Sequence, residues 1–179
     1  VDENILKNMI SSINHRGPDY SGIHINMNVG IAHARLKIID LTADGNQPMS
    51  NETGTIYITY NGEIYNYMEL RKELQKKGYR FTSQTDTEVV IYAYEEYGEE
   101  FLEKLRGMFA FAIYDVRQDR ILIVRDRLGI KPLYYYHKMN NFIFASEIKA
   151  ILKHPTVSAE VNKTSIYEYL NKRYVAAPD

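Results

Sequence analysis

IYITYNGEIYNY, residues 56–67, is the stretch that decides where the centre of the fold lies. Residues 56–60 alternate in polarity and are rich in β-branched and aromatic side chains, which predicts a strand. Asn61-Gly62 follows, and residues 63–65 look like a returning strand. Asn-Gly between two such runs is a strong signal for a tight turn, because both central residues need φ > 0. We therefore expect a hairpin at Asn61-Gly62.

Composition is that of an ordinary globular domain. The 179 residues are 45% hydrophobic and 25% charged, which predicts one domain with a sizeable core. The net charge is −1, so no overall field attracts nucleic acid or an anionic membrane, and we expect neither as a partner. No apolar run is long enough to span a bilayer and no signal peptide is recognisable, so we expect a cytoplasmic protein.

Cysteine and histidine usage narrows the chemistry of these residues. The chain has no cysteine, which excludes disulfides, a thiolate metal site and a cysteine nucleophile within the sequence. The five histidines are scattered without the spacing of a metal site, so we expect no metal.

The first half of the chain is predicted to alternate between helices and short strands. Asp2 is expected to cap a helix whose apolar stripe ends at Ile13, and residues 15–22 form a polar loop. Residues 29–34 and 36–40 are predicted strands, and residues 42–54 are a loop on composition.

Three helical segments are expected in the middle of the chain. Asn66 is predicted to begin one helix, with Glu69 as its capping-box partner and Gly78 at its end. Thr85 or Asp86 is expected to cap the next helix, and residues 99–106 continue helically.

The second half changes to a period of two. Four predicted strands form an antiparallel meander, at residues 108–115, 121–126, 133–137 and 142–146. Ser146 is expected to cap a short helix over residues 147–153, and a last helix covers residues 164–171. Blocks of strands alternating with helices indicate an α+β fold with antiparallel sheets and outer helices.

Arg35 and Asp86 each allow two interpretations. Arg35 lies between apolar neighbours, where an arginine usually extends to solvent or pairs with a carboxylate, but its planar fork would also suit a ligand carboxylate. Asp86 is a good helix cap by sequence alone.

Seven segments in a fixed order resemble the glutamine amidotransferase domain of asparagine synthetase. They are HRGPDYSG (15–22), AHARLKIID (32–40), YNGEIYNY (60–67), TDTEV (85–89), GMFAFAIYD (107–115), RDRLGIKPLYY (125–135) and ASEIKAIL (145–152). The resemblance implies a four-layer αββα sandwich of the N-terminal nucleophile hydrolase type. It also implies glutamine hydrolysis to glutamate and ammonia, in which an amino-terminal cysteine attacks the side-chain amide and its α-amino group acts as base.

The resemblance implies a role for each of five residues. Asn61, through its side-chain amide, and Gly62, through its backbone N–H, resemble an oxyanion hole. Arg35 resembles the clamp for the α-carboxylate of glutamine, Asp86 the partner of its α-ammonium, and Glu63 a further substrate contact. Five more residues of the motifs are expected to be architectural: His15, Arg16, Asp19, Asp126 and Lys131.

The nucleophile is where this chain departs from the family pattern. The cysteine and its strand should precede the first helix, yet the sequence begins with Val1 directly before that helix. Either those residues lie outside the given sequence, which we favour because the pocket residues remain, or the domain is an inactive scaffold. Without the strand we expect an open sheet edge, and hence reduced stability or self-association.

The resemblance also implies partners outside these residues. Residues 1–160 correspond to the amidotransferase domain, and residues 161–179 to the start of a connection to a synthetase domain. That second domain would use ATP and Mg²⁺ to amidate aspartate, so neither cofactor is assigned here. An amidotransferase of a polysaccharide or antibiotic pathway would look similar, and a homodimer is left open.

Overall fold

The computed structural model describes residues 1–175. The α-helices are α1 (Glu3–Ser12), α2 (Tyr67–Lys76), α3 (Asp86–Tyr97), α4 (Phe101–Lys104), α5 (Ile148–Ile151) and α6 (Lys163–Lys172). The strands are β1 (Tyr20–Asn26), β2 (Val29–Arg35), β3 (Met49–Ser50), β4 (Ile56–Ile64), β5 (Gly107–Asp115), β6 (Arg120–Arg125), β7 (Tyr134–Lys138) and β8 (Asn141–Ala145).

These elements stack in four layers, in which two layers of antiparallel strands lie between two layers of helices. The sheet β3–β4–β5–β6 carries α2 and α3 on one face. The pairs β1–β2 and β7–β8 lie across a cavity from its other face and are covered by α1 and α5. The predicted α+β class and αββα layering are therefore confirmed.

The main core lies between the four-stranded sheet and its helices. Ile56, Ile58 and Ile64 of β4 are fully buried there, against Leu74 of α2 and Val90 of α3. Side chains of a strand alternate between its two faces, so Thr59, Asn61 and Glu63 point to the opposite face. That face looks into the cavity.

The hairpin predicted at Asn61-Gly62 is wrong. Strand β4 runs unbroken through both residues, with Asn61 opposite Ala110 and Gly62 opposite Phe109 of β5. A Cβ at Gly62 would lie 2.3 Å from the Met108 carbonyl oxygen. Glycine is required here because β5 approaches closely, not because the chain turns.

The predicted meander is also interrupted, because β6 pairs with β5 whereas β7 pairs only with β8 within residues 1–175. The cause is a tight turn after β6. The Asp126 carboxylate accepts N–H groups from Leu128 (3.2 Å), Ile130 (2.8 Å) and Lys131 (2.9 Å), which curls the chain away from the sheet.

Two further strand expectations differ from the structure. Residues 36–40 form no strand, because Arg35 Nη2 donates to the carbonyl groups of Ile39 and Asp40 and so bends this segment around the guanidinium. Strand β1 occupies the end of the predicted polar loop and pairs along its length with β2.

Helix starts were predicted with mixed success. Asp2 caps α1 by accepting the Asn4 N–H at 2.7 Å, and Thr85, one of the two candidates, caps α3. The capping box at Asn66 is wrong, because its side chain instead binds the Lys104 carbonyl and the Arg106 N–H. Ser146 does not cap α5, whose N-cap is Glu147. The last helix is confirmed as α6.

The motif residues expected to be architectural mostly link separate elements. Glu147 receives His15 Nε2 at 2.9 Å and Arg16 Nη1 at 3.2 Å, which ties the end of α1 to the start of α5. Asp19 accepts the Lys37 N–H at 2.8 Å. Asp126 also accepts the buried Phe109 N–H at 3.3 Å, so its carboxylate joins β5 to the turn after β6.

Asp126→Ala should lower the free energy of unfolding by about 2–4 kcal/mol near neutral pH, because several backbone donors lose a charged acceptor. Burial alone would raise the pKa of Asp126, but the N–H groups of Lys131, Ile130 and Phe109 outweigh it and lower the pKa below its usual value. The stabilisation is therefore present above about pH 4 and is lost as the pH falls through the lower folded pKa.

Urea unfolding across pH measures this effect. Glu103→Ala is the matched control, since Glu103 is largely exposed in its ion pair with Arg127 and should change stability by less than about 0.5 kcal/mol. Equal losses in the two variants would contradict the assignment.

Candidate functional site

One cavity of about 1020 Å³ lies between the two layers of strands. Its walls come from α1, β2, β4, β5 and β8. All five residues predicted to form a site line this cavity: Arg35, Asn61, Gly62, Glu63 and Asp86. Residues separated by up to 51 positions in sequence, from Arg35 to Asp86, thus line the same cavity.

Asn61 presents a hydrogen-bond donor without a partner. Its Nδ2 is buried and binds no acceptor within residues 1–175. Leaving such a donor unsatisfied costs about 1–3 kcal/mol, which a ligand oxygen can offset. The neighbouring side chain on this face, that of Thr59, instead donates to the Ala32 carbonyl at 3.1 Å.

The N–H of Gly62 points to the edge of β4 away from β5. Phe109, which lies opposite Gly62, uses its own N–H and carbonyl groups on Asp126, so the Gly62–Phe109 pair is not the hydrogen-bonded kind. Tyr60 and Ile64, two residues to either side of Gly62, direct their N–H groups to side chains on that same edge. Strand β3 accompanies β4 only at Tyr57 and Ile58, so no strand of residues 1–175 covers Gly62 there.

Asp86 is the first residue of α3 and is only 5% exposed. Its Oδ2 accepts the Tyr60 hydroxyl at 2.6 Å and the Ile64 N–H at 3.0 Å. These two contacts hold β4 on either side of Asn61, Gly62 and Glu63. Burial raises the pKa of Asp86, although the Tyr60 and Ile64 hydrogen bonds act in the opposite direction.

Arg35 is buried, and its terminal nitrogens are engaged by the loop that follows β2. Nη1 donates to the Thr42 carbonyl at 2.7 Å and to Asn46 Oδ1 at 2.8 Å, and Nη2 donates to the carbonyl groups of Ile39 and Asp40. Four of the five guanidinium N–H groups are thus used. Neither interpretation from sequence anticipated this, and the clamp for a carboxylate stays a prediction that would require some of these bonds to be exchanged.

Glu63 lies at the exposed rim of the cavity, on the same face of β4 as Asn61. An exposed carboxylate there can contact a ligand without the desolvation penalty that a buried one bears. Its role also stays a prediction.

Sequence reasoning missed two polar residues of the cavity wall, Gln47 and His33. Burial, with Arg35 nearby, lowers the pKa of His33 to about 4, so the ring is neutral at physiological pH. Its Nδ1 lies 3.2 Å from Thr59 Oγ1. Since the Thr59 proton is donated to Ala32, the geometry assigns the ring proton to Nδ1 and an acceptor to Nε2. The only sequence signal was the position of His33 in the AHARLKIID motif.

Residues 1–175 offer neither a metal site nor a membrane-spanning helix. Residues 1–175 contain no group of three or more histidine, aspartate or glutamate side chains placed to hold a metal ion. None of the described helices is long and apolar enough to cross a bilayer.

The polar end of the cavity can therefore stabilise negative charge on an oxygen atom. Asn61 Nδ2 and the Gly62 N–H are adjacent donors on one strand. No acceptor within residues 1–175 binds Asn61 Nδ2. Such preorganised donors are what acyl-transfer sites aim at a developing oxyanion.

The complete chain, residues 1–179, matches the model of a family described as the glutamine amidotransferase domain. The chain belongs to this family. It is 43% identical to asparagine synthetase [glutamine-hydrolysing] 1 of Bacillus subtilis over 98% of its length, and 46% identical to asparagine synthetase 2 of the same organism over 88%. A putative asparagine synthetase of Methanocaldococcus jannaschii is 39% identical over 99% of the chain.

Two solved structures share the fold of this domain. A glutamine phosphoribosylpyrophosphate amidotransferase of Bacillus subtilis superposes with a TM-score of 0.69 at 21% identity, over 83% of this chain and 40% of that one. A second structure, described as the allosteric regulatory enzyme of purine biosynthesis, gives a TM-score of 0.70 at 20% identity, over 84% of this chain and 40% of the other. The predicted sandwich is thereby confirmed as a fold that this domain shares with both structures.

The domain accounts for only part of each relative. It spans 28% and 21% of the two Bacillus asparagine synthetases and 38% of the Methanocaldococcus protein.

Asp86→Asn should raise the free energy of unfolding at neutral pH, because it removes a buried charge and keeps an oxygen for Tyr60 and Ile64. Folding raises the pKa of Asp86, so the folded state binds this proton more tightly than the unfolded state does. The contribution of the native Asp86 to the free energy of unfolding is therefore fully present at low pH. It is lost as the pH rises through the folded pKa.

Urea unfolding as a function of pH tests the sign. The gain from Asp86→Asn should shrink as the pH falls through the raised folded pKa, because the native side chain then takes up a proton. A loss of stability at neutral pH that does not vary with pH would show that the charge is not the destabilising element.

Proposed function

We propose that this domain is the glutaminase part of a glutamine-dependent asparagine synthetase, which hydrolyses L-glutamine to glutamate and ammonia. The observation that carries the proposal is the unpaired Asn61 Nδ2 beside the outward-facing Gly62 N–H in one cavity. Family membership and 39–46% identity to glutamine-hydrolysing asparagine synthetases and a putative one support it.

Each predicted site residue takes a role that its position allows. Asn61 and Gly62 bind the oxygen of the glutamine side-chain carbonyl as it becomes negatively charged. Asp86 binds the α-ammonium, which restores the charge that burial disfavours on the free carboxylate. Arg35 binds the α-carboxylate, and Glu63 contacts the substrate from the rim.

The chemistry needs a nucleophile that the 179 residues do not contain, since they include no cysteine. The cavity extends well beyond the polar end, between α1, β2 and β8, where apolar side chains such as Leu6, Ile31 and Ile143 line it. We propose that a strand carrying the cysteine packs into this apolar part. Its thiolate would attack the amide carbon, and ammonia would leave with the proton taken from the thiol, which leaves a thioester. Water would then cleave the thioester to release glutamate and regenerate the thiol.

The acceptor of the ammonia belongs to a second domain. We propose that residues 1–160 form the amidotransferase domain and that residues 161–179 begin the connection to an ATP- and Mg²⁺-dependent synthetase domain that amidates aspartate. Helix α6 supports this boundary, because it has no buried residue, and Tyr167 and Leu170 are largely exposed. The cytoplasm is the proposed compartment.

A second candidate is a catalytically inactive scaffold with an amidotransferase fold. One observation favours it: the protein itself engages both terminal nitrogens of Arg35. A scaffold requires neither a nucleophile nor a free guanidinium.

Glutamate release from L-glutamine distinguishes the two. A longer form of the protein with an amino-terminal cysteine should release glutamate, and the 179-residue chain should not, because it lacks the nucleophile. Both forms should bind L-glutamine by calorimetry. No release from the longer form and no binding by either would favour the scaffold.

A further inference from the structure

The side chain of Gln47 binds the edge of β4 just beyond the end of β3. It lies just before β3 and is 7% exposed. Continuing the pairing of Met49 with Ile58 by two residues places Gln47 opposite Tyr60. At that position Gln47 Oε1 accepts the Tyr60 N–H at 2.7 Å, where a backbone carbonyl would be expected in a longer strand.

This contact leaves one N–H group of the edge for a ligand. Tyr60, Gly62 and Ile64 direct their N–H groups to the same side of β4. Gln47 occupies the first and Asp86 the third. The Gly62 N–H between them is not covered by a strand of residues 1–175, and Gly62 lines the cavity.

The two side chains are also joined through Tyr60 itself. Its hydroxyl donates to Asp86 at 2.6 Å while its N–H donates to Gln47, so Tyr60 is fixed at both its backbone and its ring. Gln47 Nε2 also donates to Thr87 Oγ1, at the longer distance of 3.3 Å, one residue after Asp86. The residue that follows Tyr60 is Asn61.

We propose that Gln47 is a positioning residue for glutamine hydrolysis, which holds β4 so that Asn61 and Gly62 point their donors at the developing oxyanion. This inference rests on the proposed function. Gln47 acts through Tyr60 and does not itself contact the reacting atoms. Misplacing a catalytic group by about 1 Å can reduce a rate as much as 10²-fold, so a buried contact of this kind affects turnover.

Three variants separate positioning from stability. Gln47→Met keeps the length of the side chain but removes the acceptor for Tyr60. Gln47→Glu keeps an oxygen for that N–H. Thr87→Val removes the acceptor for Gln47 Nε2 and leaves the contact between Gln47 and Tyr60 intact, so it is matched for the loss of one buried hydrogen bond.

In the longer, cysteine-bearing protein, Gln47→Met should lower kcat for glutamate release about tenfold, with the KM for glutamine within about twofold. Gln47→Glu and Thr87→Val should each keep kcat within about threefold of the unsubstituted protein. Equal loss of kcat in Gln47→Met and Thr87→Val, or a loss confined to KM, would overturn the proposal.

Amide hydrogen exchange provides a readout that does not need activity. The Tyr60 N–H of Gln47→Met should exchange faster by tenfold or more, since it loses its acceptor, whereas that of Thr87→Val should not. If the unsubstituted protein releases no glutamate, the proposed function fails. If Tyr60 exchanges equally fast in both variants, it is the positioning role that fails.

Discussion

The buried carboxylate of Asp86 is the contact on which the candidate site depends. It joins the first turn of α3 to β4 at Tyr60 and Ile64, on either side of the segment that carries the donors. A helix start offers a favourable field for an anion, yet burial raises the pKa of this one. The fold thus tolerates an imperfectly solvated charge at the point where a cationic group of a substrate can neutralise it.

Asn61 and Gly62 likewise carry hydrogen-bond donors that are available to a ligand. Within residues 1–175, the side chain of Asn61 keeps a buried donor without a partner, and the edge of β4 is covered on both sides of Gly62 but not at it. Natural proteins pair nearly all buried polar groups, so the Asn61 donor, which no acceptor within residues 1–175 binds and which lies in the cavity wall, is suited to a ligand oxygen. Arg35 shows the opposite arrangement, because its terminal nitrogens are bound by the loop after β2. Under the proposed function, the α-carboxylate of glutamine would have to compete with that loop for the guanidinium.

The four layers of the fold and the five residues that line the cavity were predicted from motifs in a fixed order. The order of the motifs indicates the family even where a local sequence pattern predicts the wrong structure. The Asn-Gly signal gave a false hairpin, since the partner that extends β4, strand β5, begins 45 residues after Gly62 and is invisible to a local rule. Gln47 was missed because its role depends on the register of β3 against β4. The turn after β6 depends on backbone N–H groups that donate to the Asp126 carboxylate. No spacing of residue types in the sequence predicts such contacts.

The most direct test of the account is the effect of Asn61→Ala on glutamate release by the longer, cysteine-bearing protein. Removing an oxyanion donor should lower kcat about 10²–10³-fold while the KM for glutamine changes little. Asn66→Ala is the matched control, because that side chain binds Lys104 and Arg106 outside the cavity, and kcat should not change. An unaltered kcat in Asn61→Ala, or a loss shared equally with Asn66→Ala, would contradict the assignment of this site.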